Sequence, residues 1–181
     1  MTNSGPPLAI VVMGVAASGK TTVGRALAKR LGWQFLDADD YHSKTSRDKM
    51  HAGRPLTDRD RRPWLKRLHA DLAKAVAAKR PVVLACSALT EQYRRLLIGN
   101  LLEVRLVYLR ITPELARQRI GARKHFFNPG LLTNQFETLE EPADAITIDA
   151  SRPTRESVSA IAERVAVVPK KQTSLAARGW S

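Results

Sequence analysis

The feature that most limits what this chain can become is the stretch GVAASGKT at residues 14–21. It fits the pattern G-x-x-x-x-G-K-[ST] through Gly14, Gly19, Lys20 and Thr21. In such a loop the glycines let successive backbone N–H groups, here those of Val15, Ala16, Ala17 and Ser18, curl around phosphate oxygens. The lysine ammonium reaches the β/γ-phosphates, and the Thr21 hydroxyl, with Thr22 beside it, faces a phosphate-bound Mg2+. The flanks supply the context that the motif requires. LAIVVM (8–13) is an unbroken apolar run suited to a strand buried on both faces, and TVGRALAKRL (22–31) sets Val23, Leu27 and Leu31 at helical spacing. The helix N-terminus that follows the loop is itself an anion site. A glycine-rich turn with an incidental lysine would not need strand, loop and helix in that order.

Four further apolar runs read as strands: QFLD (34–37), PVVLAC (81–86), VRLVYL (104–109) and AITID (145–149). Helical patterns separate them, which predicts an α/β fold with a parallel sheet covered on both faces and ligands at the carboxyl ends of the strands. A chain of 181 residues with 44% hydrophobic content can close one sizeable core. We read residues 1–168 as a single domain and 169–181 as a flexible basic tail. The only cysteine, Cys86, lies in the apolar run PVVLAC, which makes it a core residue and suits a reducing compartment. No apolar stretch approaches the ~18 residues that span a bilayer. The N-terminus has no basic n-region or cleavage site, so a cytoplasmic protein without a membrane partner is expected. The formal charge of +13 raises the question of nucleic acid. The basic residues are dispersed, however, over 66–80, 123–125 and the tail, with no recognition signature or aromatic-interleaved patch. A solvated basic surface around an anion-binding cleft accounts for them, and no nucleic-acid partner is expected.

Chemical partners for the loop belong at the end of the second strand, where FLDADDYH (35–42) gathers Asp37, Asp39, Asp40 and His42. A carboxylate at that edge can hold the water shell of Mg2+ or accept a proton from an attacking hydroxyl. It can equally cap the next helix, a common use of aspartate. The third strand ends in CSAL, so no aspartate follows it as a metal partner, and the weight falls on Asp37 and Asp39.

With these residues in view, the chain closely resembles the gluconate kinases, or gluconokinases. The resemblance runs through MGVAASGKTTVG (13–24), FLDADDYH (35–42), KMHAGRPLTDRDRRPWL (49–65), CSAL and YRRLL (within 86–97) and HFFNPGLLTNQFETLEEP (125–142). It covers residues 8–165. The blocks ending in PWL and LEEP separate this family from shikimate and nucleoside monophosphate kinases, which share its fold. The resemblance implies a shikimate-kinase-like P-loop fold, a five-stranded parallel sheet with helices on both faces and a mobile lid at about 117–130. It also implies transfer of phosphate from ATP, with Mg2+, to the 6-hydroxyl of D-gluconate, and a homodimer. Carried over residue by residue, it sets Asp39 beside the acceptor hydroxyl and Asp37, with Thr21, toward Mg2+. His42, Lys49, Arg61, His125 and Gln135 become candidate substrate contacts. Arg119 and Arg123 become lid arginines over the triphosphate, with Arg123 joining Lys20 and Asp39 as catalytic groups.

For single positions other readings stay open: His42 as a capping or packing residue, Lys49 and Arg61 as solvated helix charges, Arg117 as surface charge. The chain also departs from the family. Lys124 stands before His125 where glycine is usual, and the lid is one residue shorter. Ala17 replaces a common glycine, which is harmless if its φ stays negative. Ser43, Ser46 and Thr90 replace a usual proline, asparagine and lysine. A kinase for another small sugar acid or polyol, and a nucleic-acid-binding or regulatory protein on a kinase fold, are the rival readings. A GTP switch is excluded because neither D-x-x-G nor N-K-x-D occurs.

Overall fold

The computed structural model of the chain describes residues 6–122 and 129–166. β1 (Ala9–Met13) is its axis, and all five residues are fully buried. Such two-sided burial fits a strand with a helical layer on each face. Around it stand β2 (Gln34–Asp37), β3 (Val82–Ala85), β4 (Val104–Arg110) and β5 (Ile146–Asp149) in one parallel sheet of order β2-β3-β1-β4-β5. Each of the five strands expected from sequence is present, with ends within one residue of the reading.

Alternation along β1 divides the core into two layers. Ile10 and Val12 face α1 (Lys20–Leu31) and α7 (Thr154–Ala166), packing with Val23, Leu27 and Ile161. α5 (Pro113–Gly121) and α6 (Pro129–Thr138) add Ala116 and Leu132 to this layer. Val11 and Met13 face α3 (Asp58–Ala77) and α4 (Glu91–Ile98), packing with Trp64, Leu65, Leu68 and Leu97. Between β2 and α3 run a 3-10 turn (Ala38–Tyr41) and α2 (Lys44–His51). α3 starts at a capping box: the Thr57 hydroxyl accepts from the Asp60 N–H while the Asp60 carboxylate accepts from the Thr57 N–H. Two of the family departures have the same local use. Ser43 caps α2 by accepting from the Ser46 N–H, and Thr90 caps α4 by accepting from the Tyr93 N–H.

A buried arginine holds the far side of the sheet's carboxyl edge together. Arg94 on α4 is only 6% exposed, and its guanidinium donates to the carbonyls of Ala88, Leu89 and Glu140 and to the Glu91 carboxylate. The Glu140 carboxylate in turn accepts from the Glu91 N–H at 2.6 Å, and the Glu140 N–H donates to the Leu89 carbonyl. The connection after β3, the start of α4 and the exit from α6 are thus one hydrogen-bonded unit. Removing the guanidinium takes the donor from the buried Ala88 carbonyl and the half-buried Glu140 carbonyl, while the Leu89 carbonyl keeps the Glu140 N–H. A buried carbonyl left unsatisfied costs roughly 1–3 kcal/mol. Arg94→Met should therefore lower the unfolding free energy by about 3 kcal/mol. A urea titration showing a loss below about 1 kcal/mol would contradict this role.

Candidate active site

The carboxyl ends of β1, β2 and β3 open into a cleft of about 400 Å3, walled by the glycine loop, the turn after β2, the first turns of α3 and one face of α6. Loop geometry follows from its sequence. Gly14 has φ +147, and a Cβ there would stand 2.7 Å from Ser18 Oγ and 2.8 Å from the Leu109 carbonyl, so only glycine fits. Gly19 has φ +95 where it precedes α1. Ala17 overturns one expectation: its φ is +63, not negative. The left-handed conformation costs a residue with a Cβ about 1 kcal/mol or more. The surroundings hold it there, with Ala17 buried and its carbonyl accepting from Arg119 Nη1 at 3.2 Å. Lys20 Nζ donates to the Val15 carbonyl at 2.9 Å, which lays the ammonium along the loop.

The acidic turn is also built differently from a simple strand continuation. The chain leaves β2 and tightens at once into the 3-10 turn, because Asp37 caps it: Oδ1 of Asp37 accepts from the Asp39 N–H at 3.1 Å. Its other oxygen, Oδ2, accepts from the Thr21 hydroxyl at 2.9 Å. Asp39 therefore does not share a strand face with Asp37, and it is not the cap of the following helix, a position that Ser43 fills. The turn is pinned from the other layer by Trp64, whose Nε1 donates to the Ala38 carbonyl at 2.7 Å. The same indole stacks on His42, with ring centroids 4.4 Å apart and planes 15° apart. His42 Nε2 in turn lies 4.0 Å from Asp39 Oδ1. Two buried polar atoms, His42 Nδ1 and Ser18 Oγ, have no hydrogen-bond partner among the described residues. Buried polar atoms are seldom left so, and His42 lines the cleft.

Not every candidate from sequence reaches the cleft. Lys20, Thr21, Thr22, Asp37, Asp39, His42, Arg61 and Gln135 line it. Lys49 does not: its ammonium lies 2.8 Å and 2.9 Å from the two oxygens of Asp60, the capping-box carboxylate of α3. Gln135 lines the cleft, but its carboxamide oxygen accepts from the Ala16 N–H at 2.7 Å, tying α6 to the phosphate-binding loop. Arg119 donates to the carbonyls of Ala17 and Ala150. Arg123, Lys124 and His125 lie outside the described residues, as does the middle of the expected lid. Trp64 was missed as a site residue, although it stands within PWL. Cys86, at the edge of the cleft, is 1% exposed, and burial pushes its thiol up to about 12, so it takes no part as a nucleophile. Among the described residues, no group of three or more His, Cys, Asp or Glu could hold a metal ion, and no helix is long and apolar enough to cross a membrane. Thr21 and Asp37 offer one hydroxyl and one carboxylate at 2.9 Å from each other, a donor set that suits Mg2+ shared with phosphate oxygens.

Compared with known proteins, the AAA domain family matches residues 10–142. A probable gluconokinase of Mus musculus is 44% identical over 173 residues, covering 81% of this chain and 92% of that protein. The crystal structure of a gluconokinase from Sinorhizobium meliloti 1021 superposes with a TM-score of 0.79 at 37% identity, covering 89% of this chain and 93% of that one. A shikimate kinase from Acinetobacter baumannii, at 22% identity, a TM-score of 0.55 and coverage of 88% and 93%, shares the fold alone.

The cleft sets the two titrating groups beside each other in opposite senses. Asp39 is largely open to water, yet it stands in a recess whose partial desolvation raises its carboxyl above the usual 3.8. The neighbouring Asp37 and Asp40 carboxylates add to the rise, while Lys20 and His42 oppose it. Burial lowers the His42 imidazole below 6.5, against the pull of Asp39. At neutral pH His42 is thus mainly neutral, while the Asp39 carboxyl holds its proton more tightly than an open aspartate does. A carboxyl-detected and imidazole-detected NMR titration should find Asp39 protonating above 3.8 and His42 below 6.5; the reverse order for either would contradict this geometry.

Proposed function

Because the chain belongs to the gluconokinase family, we propose that it transfers the γ-phosphoryl group of ATP to the 6-hydroxyl of D-gluconate, giving 6-phosphogluconate and ADP. The observation that carries this reading is the meeting, in one cleft, of a phosphate-binding loop, an acidic turn and an arginine suited to a carboxylate. The amides of residues 14–22 and the Lys20 ammonium hold the triphosphate. Mg2+, when bound with the nucleotide, neutralises charge on the β- and γ-phosphates, and Thr21 and Asp37 would hold it. Asp39 orients the acceptor hydroxyl and takes its proton. The hydroxyl oxygen forms the new bond to the γ-phosphorus as the bond to the β,γ-bridging oxygen breaks and ADP leaves with that electron pair. Arg61 pairs with the gluconate carboxylate, and the unpartnered His42 Nδ1 meets one of its hydroxyls.

Asp39 contributes by position more than by basicity, because the phosphoryl transition state is loose and the proton leaves late. Asp39→Asn should cut kcat strongly with ATP affinity nearly unchanged; a normal kcat would remove Asp39 from the chemistry. Lys20→Ala should lose about 3 kcal/mol or more of transition-state stabilisation while leaving the fold intact. The substrate is checked by coupling the reaction to 6-phosphogluconate dehydrogenase and to ADP detection across a panel of acceptors with ATP and Mg2+. Gluconate should outrun glucose, shikimate and idonate. Faster turnover of another sugar acid or polyol would favour the rival kinase reading instead.

A further inference from the structure

Arg61 belongs to α3 and faces the cleft, but the side chain that holds its guanidinium comes from α4. Tyr93 Oη accepts from Arg61 Nη1 at 3.1 Å, and the guanidinium carbon lies 5.3 Å from the centre of the Tyr93 ring. The same phenol donates its own proton to Asp58 Oδ1 at 2.5 Å. From this chain of contacts we infer that Tyr93, fixed by Asp58, is the positioning residue that aims Arg61 at the acidic end of the acceptor. The inference rests on the reading of gluconate as acceptor given above.

Each part of the arrangement has a physical reason. Tyr93 is 8% exposed, with its ring packed in the layer of Trp64, Leu65, Leu68 and Leu97. Its backbone is fixed too, since its N–H is bonded to the cap of α4. The hydroxyl is thus presented from a rigid base. Asp58 and Arg61 are three residues apart on α3, a spacing at which they could pair directly. The phenol stands between them instead. It gives its proton to the carboxylate, which leaves its lone pairs for the guanidinium and makes the oxygen a better acceptor. Burial and the bond to Asp58 push the phenol above its usual 10, so it stays protonated at neutral pH. An unrestrained arginine samples many rotamers, and a guanidinium already held in place meets a carboxylate at lower entropic cost. The contacts that fix this trio run between α3 and α4, so its influence falls on the side of the cleft that Arg61 lines.

The test is a double-mutant cycle on the full chain. Tyr93→Phe keeps the ring under the guanidinium and removes the hydroxyl. It should raise KM for gluconate about tenfold, with KM for ATP unchanged, kcat within about twofold and little change in Tm. Asp58→Asn, acting from farther out, should shift KM for gluconate in the same direction by less. In an Arg61→Ala background, itself raised in KM for gluconate, adding Tyr93→Phe should change nothing further. Independent, multiplicative effects of Tyr93→Phe and Arg61→Ala would overturn the inference, as would equal rises in both KM values or a fall in Tm with unchanged KM. Wild-type turnover of gluconate and the shift in Arg61→Ala alone are read first. Absence of gluconate turnover overturns the substrate reading and the inference with it, whereas turnover without a shift in Arg61→Ala, or both present with additive effects, overturns the inference alone.

Discussion

The place of the cleft in this protein follows from the complete burial of β1. A strand covered on both faces can carry no chemistry along its length, because each side chain has to be apolar and each backbone group has to be given to a neighbouring strand. Its functional content is displaced to the point where it stops. The turn there has to reverse direction within a few residues, with Gly14 so close to Ser18 and Leu109 that no side chain fits. Because all five strands are parallel, every other carboxyl end opens on the same edge. The acidic turn after β2 and the cleft share that edge for this reason.

The two layers then contribute unequally. The layer of α1 and α7 supplies the base of the phosphate-binding loop, while the layer of α3 and α4 shapes the wall of the cleft that carries Arg61 and Trp64. Trp64 illustrates how packing becomes chemistry: one buried indole fills the core, holds the Ala38 carbonyl and supports the His42 ring that stands near Asp39. α6 joins the two sides, with Gln135 on the loop amide of Ala16 and Glu140 on the N-terminus of α4. An acid positioned in this way depends on Asp37 at the end of its own strand and on the Trp64 side chain, which holds the Ala38 carbonyl from 26 residues downstream.

That dependence explains which parts were legible in sequence. The sheet was legible because buried parallel strands are written as uninterrupted apolar runs, and the loop because its glycines sit where backbone must pass close to backbone. The family blocks marked the cleft for the same reason: KM-to-PWL carries Arg61 and Trp64 together. What sequence spacing could not reveal was set by distant partners. The 3-10 turn forms because Asp37 bonds the Asp39 amide and Trp64 holds Ala38, so counting residues as a strand misplaced Asp39 relative to Asp37. Lys49 is drawn to Asp60 because the capping box had already fixed a carboxylate there. Ala17 takes a positive φ because Arg119, 102 residues away, holds its carbonyl.

The thiol of Cys86 has a practical bearing on how such a chain can be studied. With burial pushing its thiol up to about 12 and its surface 1% exposed, it presents far less thiolate than an open cysteine at the same pH. It is also the only cysteine in the sequence. Maleimide and iodoacetamide reagents therefore meet a silent background in the native protein. A cysteine introduced at an open position such as Leu102, which is 54% exposed, would be the sole reactive handle for a fluorophore or spin label, with no native thiol to remove first.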